Sequence, residues 1–426
     1  MAFYGDDFTG STDALEFICR AGAKAILFIE PPTAARLQAY PDLNVFGIAG
    51  KTRSLAPPEM EKILLNAFEQ IRSIGIKHVH YKVCSTFDSS PETGSIGIAI
   101  DCGATIFNNK IIPVLGGTPS LSRYCVFGNL FAGLGTLDNG NIYRLDRHPS
   151  MSKHPVTPAH ESDLRLHLGN QTNKKMGLID ILDLKKPVGE MNAKDQDAEV
   201  ILIDALYDEQ LLNVGEWIDQ QQQGIEPLFS VGSSGIEMAL GKYWNATGLL
   251  QPVSEWPSPG KATPLLVVSG SCSPVTEAQI TWANEHGFTE IILDTTMLDN
   301  NVAGNKVQEQ INELLQQQKD VIVHTGYKQL QQLSSEKLGN TLGMIVKNAA
   351  AMQLIKRVVI AGGDSSSYAA RAMNIEAVEI ITPLVPGAPL CQAISSNKFI
   401  NGLEVNFKGG QVGGENYFQI LKDGRL

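Results

Sequence analysis

The sequence predicts an α/β protein of two domains, each a mostly parallel sheet flanked by helices. Three observations carry that reading. With 426 residues, the chain exceeds what one ordinary core organises. Short apolar runs alternate with segments of helical apolar spacing, the rhythm of strand–helix–strand units and parallel sheets. A stretch rich in proline, 247–264, interrupts that rhythm as a linker between folded units does. The first domain is therefore placed at 1–247, the linker at 248–264 and the second domain at 265–426.

Composition narrows the class. Hydrophobic residues make up 43% and charged residues 19%, and no apolar run nears the roughly 18 to 20 residues of a membrane span, so no membrane association is expected. The formal charge of -11 comes without a strong Lys/Arg cluster, which argues against nucleic acid as a partner. The six cysteines, Cys19, Cys84, Cys102, Cys125, Cys272 and Cys391, form no Cys-x-x-Cys pair and have no histidine at zinc-ligand spacing. They read as reduced thiols, and no metal site is predicted. No charged segment followed by an apolar leader precedes the first strand, so the expected compartment is the cytoplasm.

The first domain is organised around Gly5-Asp6-Asp7-Phe8-Thr9-Gly10-Ser11-Thr12-Asp13, which follows Ala2-Phe3-Tyr4 and leads into Ala14-Leu15-Glu16-Phe17-Ile18. That order reads as strand, loop and helix N-terminus, with Asp6 and Asp7 at the carboxyl end of the strand. Open α/β sheets bind ligands at this edge, where loops diverge and helix N-termini present N–H groups. Asp7, Ser11 or Thr12 can equally cap the helix, a role that accounts for only one of the two acids. Residues 24–29 and 43–49 read as buried strands of the parallel sheet, and 59–74 as a helix. Arg53 follows the strand at 43–49, and Lys82, Cys84, Ser85, Thr86 and Asp88 follow a strand near 78–82. If these strands are parallel neighbours, Asp6, Asp7, Arg53, Lys82, Ser85 and Thr86 converge on one crevice. The cations suit a carboxylate, and the acids suit sugar hydroxyls or a proton-acceptor role. His148, His154 and His160, separated by prolines, lie in a loop-rich middle from 146 to 189.

The second domain restarts with an apolar strand at 265–269 that enters a helix through Gly270-Ser271-Cys272-Ser273. The Gly-Lys-Ser/Thr ending of a Walker A loop is missing. A second strand ends in Gly362-Gly363-Asp364-Ser365, and a third in Lys408-Gly409-Gly410-Gln411-Val412-Gly413-Gly414. Each alone is also an ordinary turn. Paired glycines let a backbone approach phosphates closely, and three such turns in one domain suggest a nucleotide.

In this order, Asp6-Asp7-Phe8-Thr9-Gly10, Gly270-Ser271-Cys272-Ser273, Gly362-Gly363-Asp364-Ser365 and Lys408-Gly409-Gly410-Gln411-Val412-Gly413 resemble the four-carbon acid sugar kinase family. The resemblance runs along essentially the whole chain, with His154-Pro155-Val156-Thr157-Pro158 and Pro386-Gly387-Ala388-Pro389 adding to it. It implies an N-terminal acid-sugar domain, a C-terminal ATP domain and an active-site cleft between them. The partners it implies are ATP, used with Mg2+, and a small four- or five-carbon sugar acid such as 3-oxo-tetronate. It further implies that Ser271, Ser273, Gly362, Gly363, Asp364, Ser365, Gly410 and Gly413 contact ATP. Asp6, Asp7, Thr9, Arg53, Lys82 and Ser85 then lie on the sugar side. Many members resemble Lys-x-Asp-Ser-Thr-Leu-Arg-Gly after the Tyr-Lys strand; here Cys84 stands where the acid is usual and the arginine is absent. A branched acid such as 3-oxo-isoapionate thereby becomes a candidate substrate, with Asp88 or Arg123 supplying the missing charge.

The mechanism expected from this resemblance is in-line phosphoryl transfer, with Asp7 favoured over Asp6 as the carboxylate that accepts the hydroxyl proton. A non-catalytic sensor of acid sugars is the alternative, and it predicts no ATP consumption. A dinucleotide oxidoreductase would carry Gly-x-Gly-x-x-Gly after its first strand, and no such run is present. A homodimer is compatible with the sequence, which does not fix the oligomeric state.

Overall fold

The computed structural model describes residues 1–133, 140–294, 301–326 and 334–425. It divides into two compact units: Met1–Ala25 with Pro31–Val253, and Ile26–Glu30 with Ser254–Leu426.

Up to residue 253 the elements are β1 (Ala2–Gly5), α1 (Phe8–Arg20), β2 (Ala25–Phe28), α2 (Ala34–Leu37), β3 (Val45–Ala49), α3 (Pro57–Ile74), β4 (His78–Lys82), α4 (Ile96–Phe107) and β5 (Ile112–Leu115). There follow β6 (Arg123–Val126), β7 (Asn129–Gly133), β8 (Ile142–Arg144), α5 (Leu164–Gly169), β9 (Met176–Ile179), β10 (Val200–Ile203), α6 (Gln210–Gln221), β11 (Leu228–Gly232) and α7 (Gly235–Ala246). The first unit's sheet runs β3-β1-β4-β11-β5-β10-β9, every pair parallel. Most of its strands are buried apolar runs because helices cover a parallel sheet on both faces, while β4 buries His78, His80 and Lys82. Phe68 of α3 fixes one layer, its ring 5.6 Å from that of Phe107 and 5.2 Å from that of Phe229. Prolines open α3 and the left-handed Gly75 closes it, the usual asymmetry of helix ends. A small antiparallel sheet, β6-β7-β8, carries Arg123.

Register places the loops that matter. Gly5 lies opposite Ala49 of β3 and Lys82 of β4, and Lys82 lies opposite Gly232 of β11. The segments after β1, β3, β4 and β11 therefore leave the sheet at one edge.

The second unit contains β12 (Leu265–Ser269), α8 (Pro274–Glu285), β13 (Thr289–Ile292), α9 (Asn301–Gln316), β14 (Val321–His324), α10 (Ser335–Ala351), β15 (Arg357–Ala361) and α11 (Gly363–Ala372). It ends with β16 (Ala377–Val385), β17 (Ala388–Ile394), β18 (Glu404–Lys408) and α12 (Tyr417–Asp423). Strands β13-β14-β12-β15-β18 are parallel, and β17 and β16 continue the sheet antiparallel. Its core packs Val267, Ile322 and Val359 with Phe288, Tyr417 and Phe418.

One strand departs from the sequence reading. The apolar run at 24–29 is expected in the parallel sheet of the first domain, whereas Ile26, Leu27 and Phe28 pair antiparallel with β16, Phe28 opposite Ala377. Residues 26–30 belong to the second unit, where the antiparallel hairpin of β16 and β17 brings β16 alongside them. None of the described helices is long and apolar enough to cross a membrane.

Candidate functional site

In the first unit, three backbone bonds tie the loops together at the sheet edge. Asp6 N–H donates to the Lys82 carbonyl (2.8 Å), Arg53 N–H to the Asp6 carbonyl (3.1 Å) and Val83 N–H to the Gly232 carbonyl (2.8 Å). The two neighbouring acids then diverge. Asp7 caps α1: its Oδ1 accepts from Gly10 N–H (2.8 Å), while Oδ2 accepts from the Thr9 hydroxyl (2.7 Å) and from Arg53 Nη2 (2.5 Å). Gly10 is required here, since a Cβ would lie 2.5 Å from Asp7 Oδ1 and 3.3 Å from Lys82 Nζ. Burial alone would raise the Asp7 carboxyl, but Arg53, the Thr9 hydroxyl, Lys82 and Gly10 N–H outweigh it and hold it below the ordinary carboxylate value.

Asp6 is 3% exposed. Its Oδ2 accepts from Cys84 N–H (3.3 Å), and its Oδ1 has no hydrogen-bond partner among the described residues. Burial, helped by the charges of Asp7 and Asp88, pushes its carboxyl up to about 7 against the pull of Arg53 and Lys82. Both acids are buried, yet one is a spent anion and the other a carboxylate poised to change protonation near neutrality.

Two cations, Arg53 and Lys82, act on these acids, and a third, Arg123, lies near Cys84 and Asp88. Arg53 is held by Asp7, its side chain 22% exposed. Lys82 is buried, donates to the Val83 carbonyl (3.0 Å) and lies 3.5 Å from Asp13 Oδ2, which also accepts from Ser234 (2.6 Å). Burial would lower the Lys82 ammonium, but Asp13, Asp6 and Asp7 outweigh it and raise it, so it stays charged. Arg123 donates from Nη1 to the carbonyls of Leu121, Ser122 and Gly133. Its buried Nε has no acceptor among the described residues, and burial lowers its guanidinium despite the nearby Cys84 and Asp88. A cation in this state is able to accept an anion. Asp88 accepts from Thr86 (2.6 Å), and Ser85 is half-buried beside it.

Burial pushes the Cys84 thiol up to about 12, so it is a packing and hydrogen-bonding group and not a nucleophile. Cys84→Ser should therefore keep turnover within about threefold of wild type in a steady-state assay, whereas a thiolate mechanism would lose it outright. The loop histidines organise backbone: His148 Nδ1 accepts from Ser150 and Met151 N–H, and His154 Nδ1 from Thr157 N–H.

In the second unit, Ser269, Ala361 and Lys408 align across β12, β15 and β18, so the three glycine turns begin side by side. Gly362 has φ +125, and a Cβ there would lie 2.5 Å from Ser365 Oγ and 3.2 Å from Ser271 N. A Cβ on Gly410 would meet Ser273 Cβ at 3.0 Å and Ser271 Oγ at 3.1 Å. Ser271, Ser273, Gly362, Ser365 and Gly410 are thus brought together, with Gly363 opening α11. Gly413 sits further along, at φ +85, packed on the Tyr417 ring. The Asp364 side chain lies outside the described residues. Helix α8 starts at Pro274 with the Ser273 hydroxyl accepting from Val275 N–H. Two residues without an assigned role in the sequence reading stand beneath these turns: Lys408 at the end of an apolar strand, and Gln279 inside a helix. The one sequence signal was the lysine, which in a central strand cannot reach water.

Comparison with known proteins completes the description. Residues 1–240 match the sugar-binding N-terminal domain, and residues 266–418 the nucleotide-binding C-terminal domain. The chain is 39% identical to the 3-oxo-isoapionate kinase of Paraburkholderia graminis over 100% of this chain and 94% of that one. It is 27% identical to the 3-oxo-tetronate kinase of Pseudomonas fluorescens over 97% and 94%. A crystal structure from Salmonella typhimurium LT2, described as a putative tRNA synthase, shares the fold with a TM-score of 0.78 at 24% identity, over 98% of this chain and 97% of that one.

Proposed function

The chain belongs to the four-carbon acid sugar kinase family, and from that premise we propose that it transfers the γ-phosphoryl group of ATP to a hydroxyl of a branched 3-oxo sugar acid of the 3-oxo-isoapionate type. It is an ATP-dependent sugar-acid kinase; the branched substrate is the finer reading. The observation that carries it is the charge layout of the first unit: a half-buried arginine, Arg123, with an open Nε near Cys84 and Asp88, in the unit that holds two acids of opposite protonation behaviour. Arg123 would take the substrate carboxylate, Lys82 and Arg53 would fix the field around it, and Thr9, Ser85 and Asp88 would read hydroxyls. Cys84 in place of an acid leaves room and lowers negative charge where a branched carbon chain would sit.

On this reading Asp6, and not Asp7, takes the proton-acceptor role. Asp7 has both oxygens occupied by Gly10, Thr9 and Arg53, so it orients; Asp6 has an open Oδ1 and a pKa matched to neutral pH. Phosphoryl transfer needs positioning and charge neutralisation more than covalent chemistry. In the second unit Ser271, Ser273, Gly362, Gly363, Ser365, Gly410 and Gly413 would hold ATP. Asp364 is proposed there on the sequence resemblance alone. The Ser271 and Ser273 hydroxyls fit a hydrated Mg2+ carried on the phosphates, whose chemistry is to neutralise their charge.

A coupled ADP-release screen over threonate, erythronate, 3-oxo-tetronates and 3-oxo-isoapionate tests the reading. The highest kcat/KM is expected with 3-oxo-isoapionate. A clear preference for a linear four-carbon acid overturns the branched assignment, and no ADP with any acid favours the sensor.

A further inference from the structure

Lys408 and Gln279 are both fully buried, and both face the 409–414 loop. Lys408 Nζ donates to the Thr276 hydroxyl (2.9 Å) and to the carbonyls of Gly409 (2.9 Å) and Gly410 (3.4 Å). Gln279 Nε2 lies 3.0 Å from the Val412 carbonyl, 3.1 Å from that of Gly413 and 3.0 Å from that of Gly414. Thr276 and Gln279 belong to α8, so one helix and one strand end grip the same loop.

The consequence lies in peptide geometry. In a trans peptide the carbonyl of one residue and the N–H of the next point in opposite directions. With the carbonyls of 409, 410, 412, 413 and 414 drawn toward Lys408 and Gln279, the N–H groups of Gly410, Gln411, Gly413, Gly414 and Glu415 are turned away from them. None of these N–H groups donates to another group among the described residues. A run of backbone N–H groups turned one way is an anion-binding nest. It adjoins Ser271 and Ser273, whose atoms lie 3.0–3.1 Å from where a Gly410 Cβ would be.

We propose that Lys408 and Gln279 are positioning residues that shape the 409–414 loop, from the side away from the ligand, into the cradle for the nucleotide's phosphates. The proposal rests on the nucleotide reading of this unit. It gives the glycines their function: a side chain at Gly413 would strike the Tyr417 ring, and one at Gly410 would push the loop off the serines. Charge supports it. Burial pulls the Lys408 ammonium down to about 7, with no ion pair among the described residues, so an arriving phosphate supplies the counter-charge that burial withholds. A role limited to holding the fold would treat all nucleotide ligands alike; a cradle acts on phosphates.

Equilibrium titrations of the full chain with ATP, ADP, AMP and adenosine test this for wild type, Lys408→Met and Gln279→Met. Lys408→Met should weaken ATP by about 30-fold, ADP by less, and adenosine by no more than about twofold. Gln279→Met should show a smaller loss graded in the same order, and it keeps the test open if Lys408→Met does not fold. Equal losses for ATP and adenosine, or no loss for ATP, would overturn the positioning role while leaving the nucleotide reading intact. A wild type that binds none of the four ligands overturns both.

Discussion

Asp6→Asn is expected to lower kcat by about a hundred- to ten-thousand-fold, the range over which positioned acid–base groups act, while the KM for ATP stays unchanged. Wild-type kcat should rise as pH climbs through about 7, because the Asp6 carboxyl, pushed there by burial, must be ionised to accept the hydroxyl proton. The variant should lose that limb. Stability should move the other way. A carboxyl raised from 3.8 to about 7 in the folded protein binds its proton more tightly there than in the unfolded chain. Its ionisation therefore costs stability progressively between those values, and the loss is complete above about 7. At pH 8 Asp6→Asn should be more stable than wild type, on the order of a few kcal/mol. Asp7 has the opposite linkage, since its lowered value contributes stability that is lost as pH falls. Asp7→Asn should be less stable at neutral pH. An Asp6→Asn enzyme with full turnover would remove this residue from the chemistry.

The second large effect separates two arginines. Arg123→Met should raise the KM for the sugar acid about 10- to 100-fold, the worth of a charge-assisted contact to a carboxylate, with kcat changed far less. Its melting temperature should change little, because the half-buried guanidinium has no ion pair among the described residues, which offsets the loss of its bonds to three carbonyls. Arg53→Met should instead destabilise the protein, on the order of 2–3 kcal/mol, by leaving the buried Asp7 carboxylate without its cation. If both variants raise KM alike and leave stability alone, Arg53 binds substrate directly and the division between the two fails.

Much of this was legible in the order of residues. An apolar run halted by Asp6-Asp7 before a helical pattern states a strand end and a helix start, and the glycine turns state close backbone approach. Direction was not legible. The run at 24–29 is apolar whichever neighbour it joins, and only the tertiary pairing with β16 makes it antiparallel. Nor could sequence tell Asp6 from Asp7, which differ by one position; the cap and the ion pair with Arg53 fall to Asp7 alone, and the proposed division of labour rests on that. Gln279 carried no signal at all, because a polar residue in an amphipathic helix ordinarily faces water, and its burial depends on a loop more than a hundred residues away in sequence.

The measurement closest to the central claim is transfer of label from γ-labelled ATP. With 3-oxo-isoapionate, wild type is expected to place the label on a sugar-acid phosphate in step with ADP release, and Asp6→Asn to produce neither at a comparable rate. Labelled inorganic phosphate alone, or a labelled sugar-acid phosphate formed equally well by Asp6→Asn, would contradict the account.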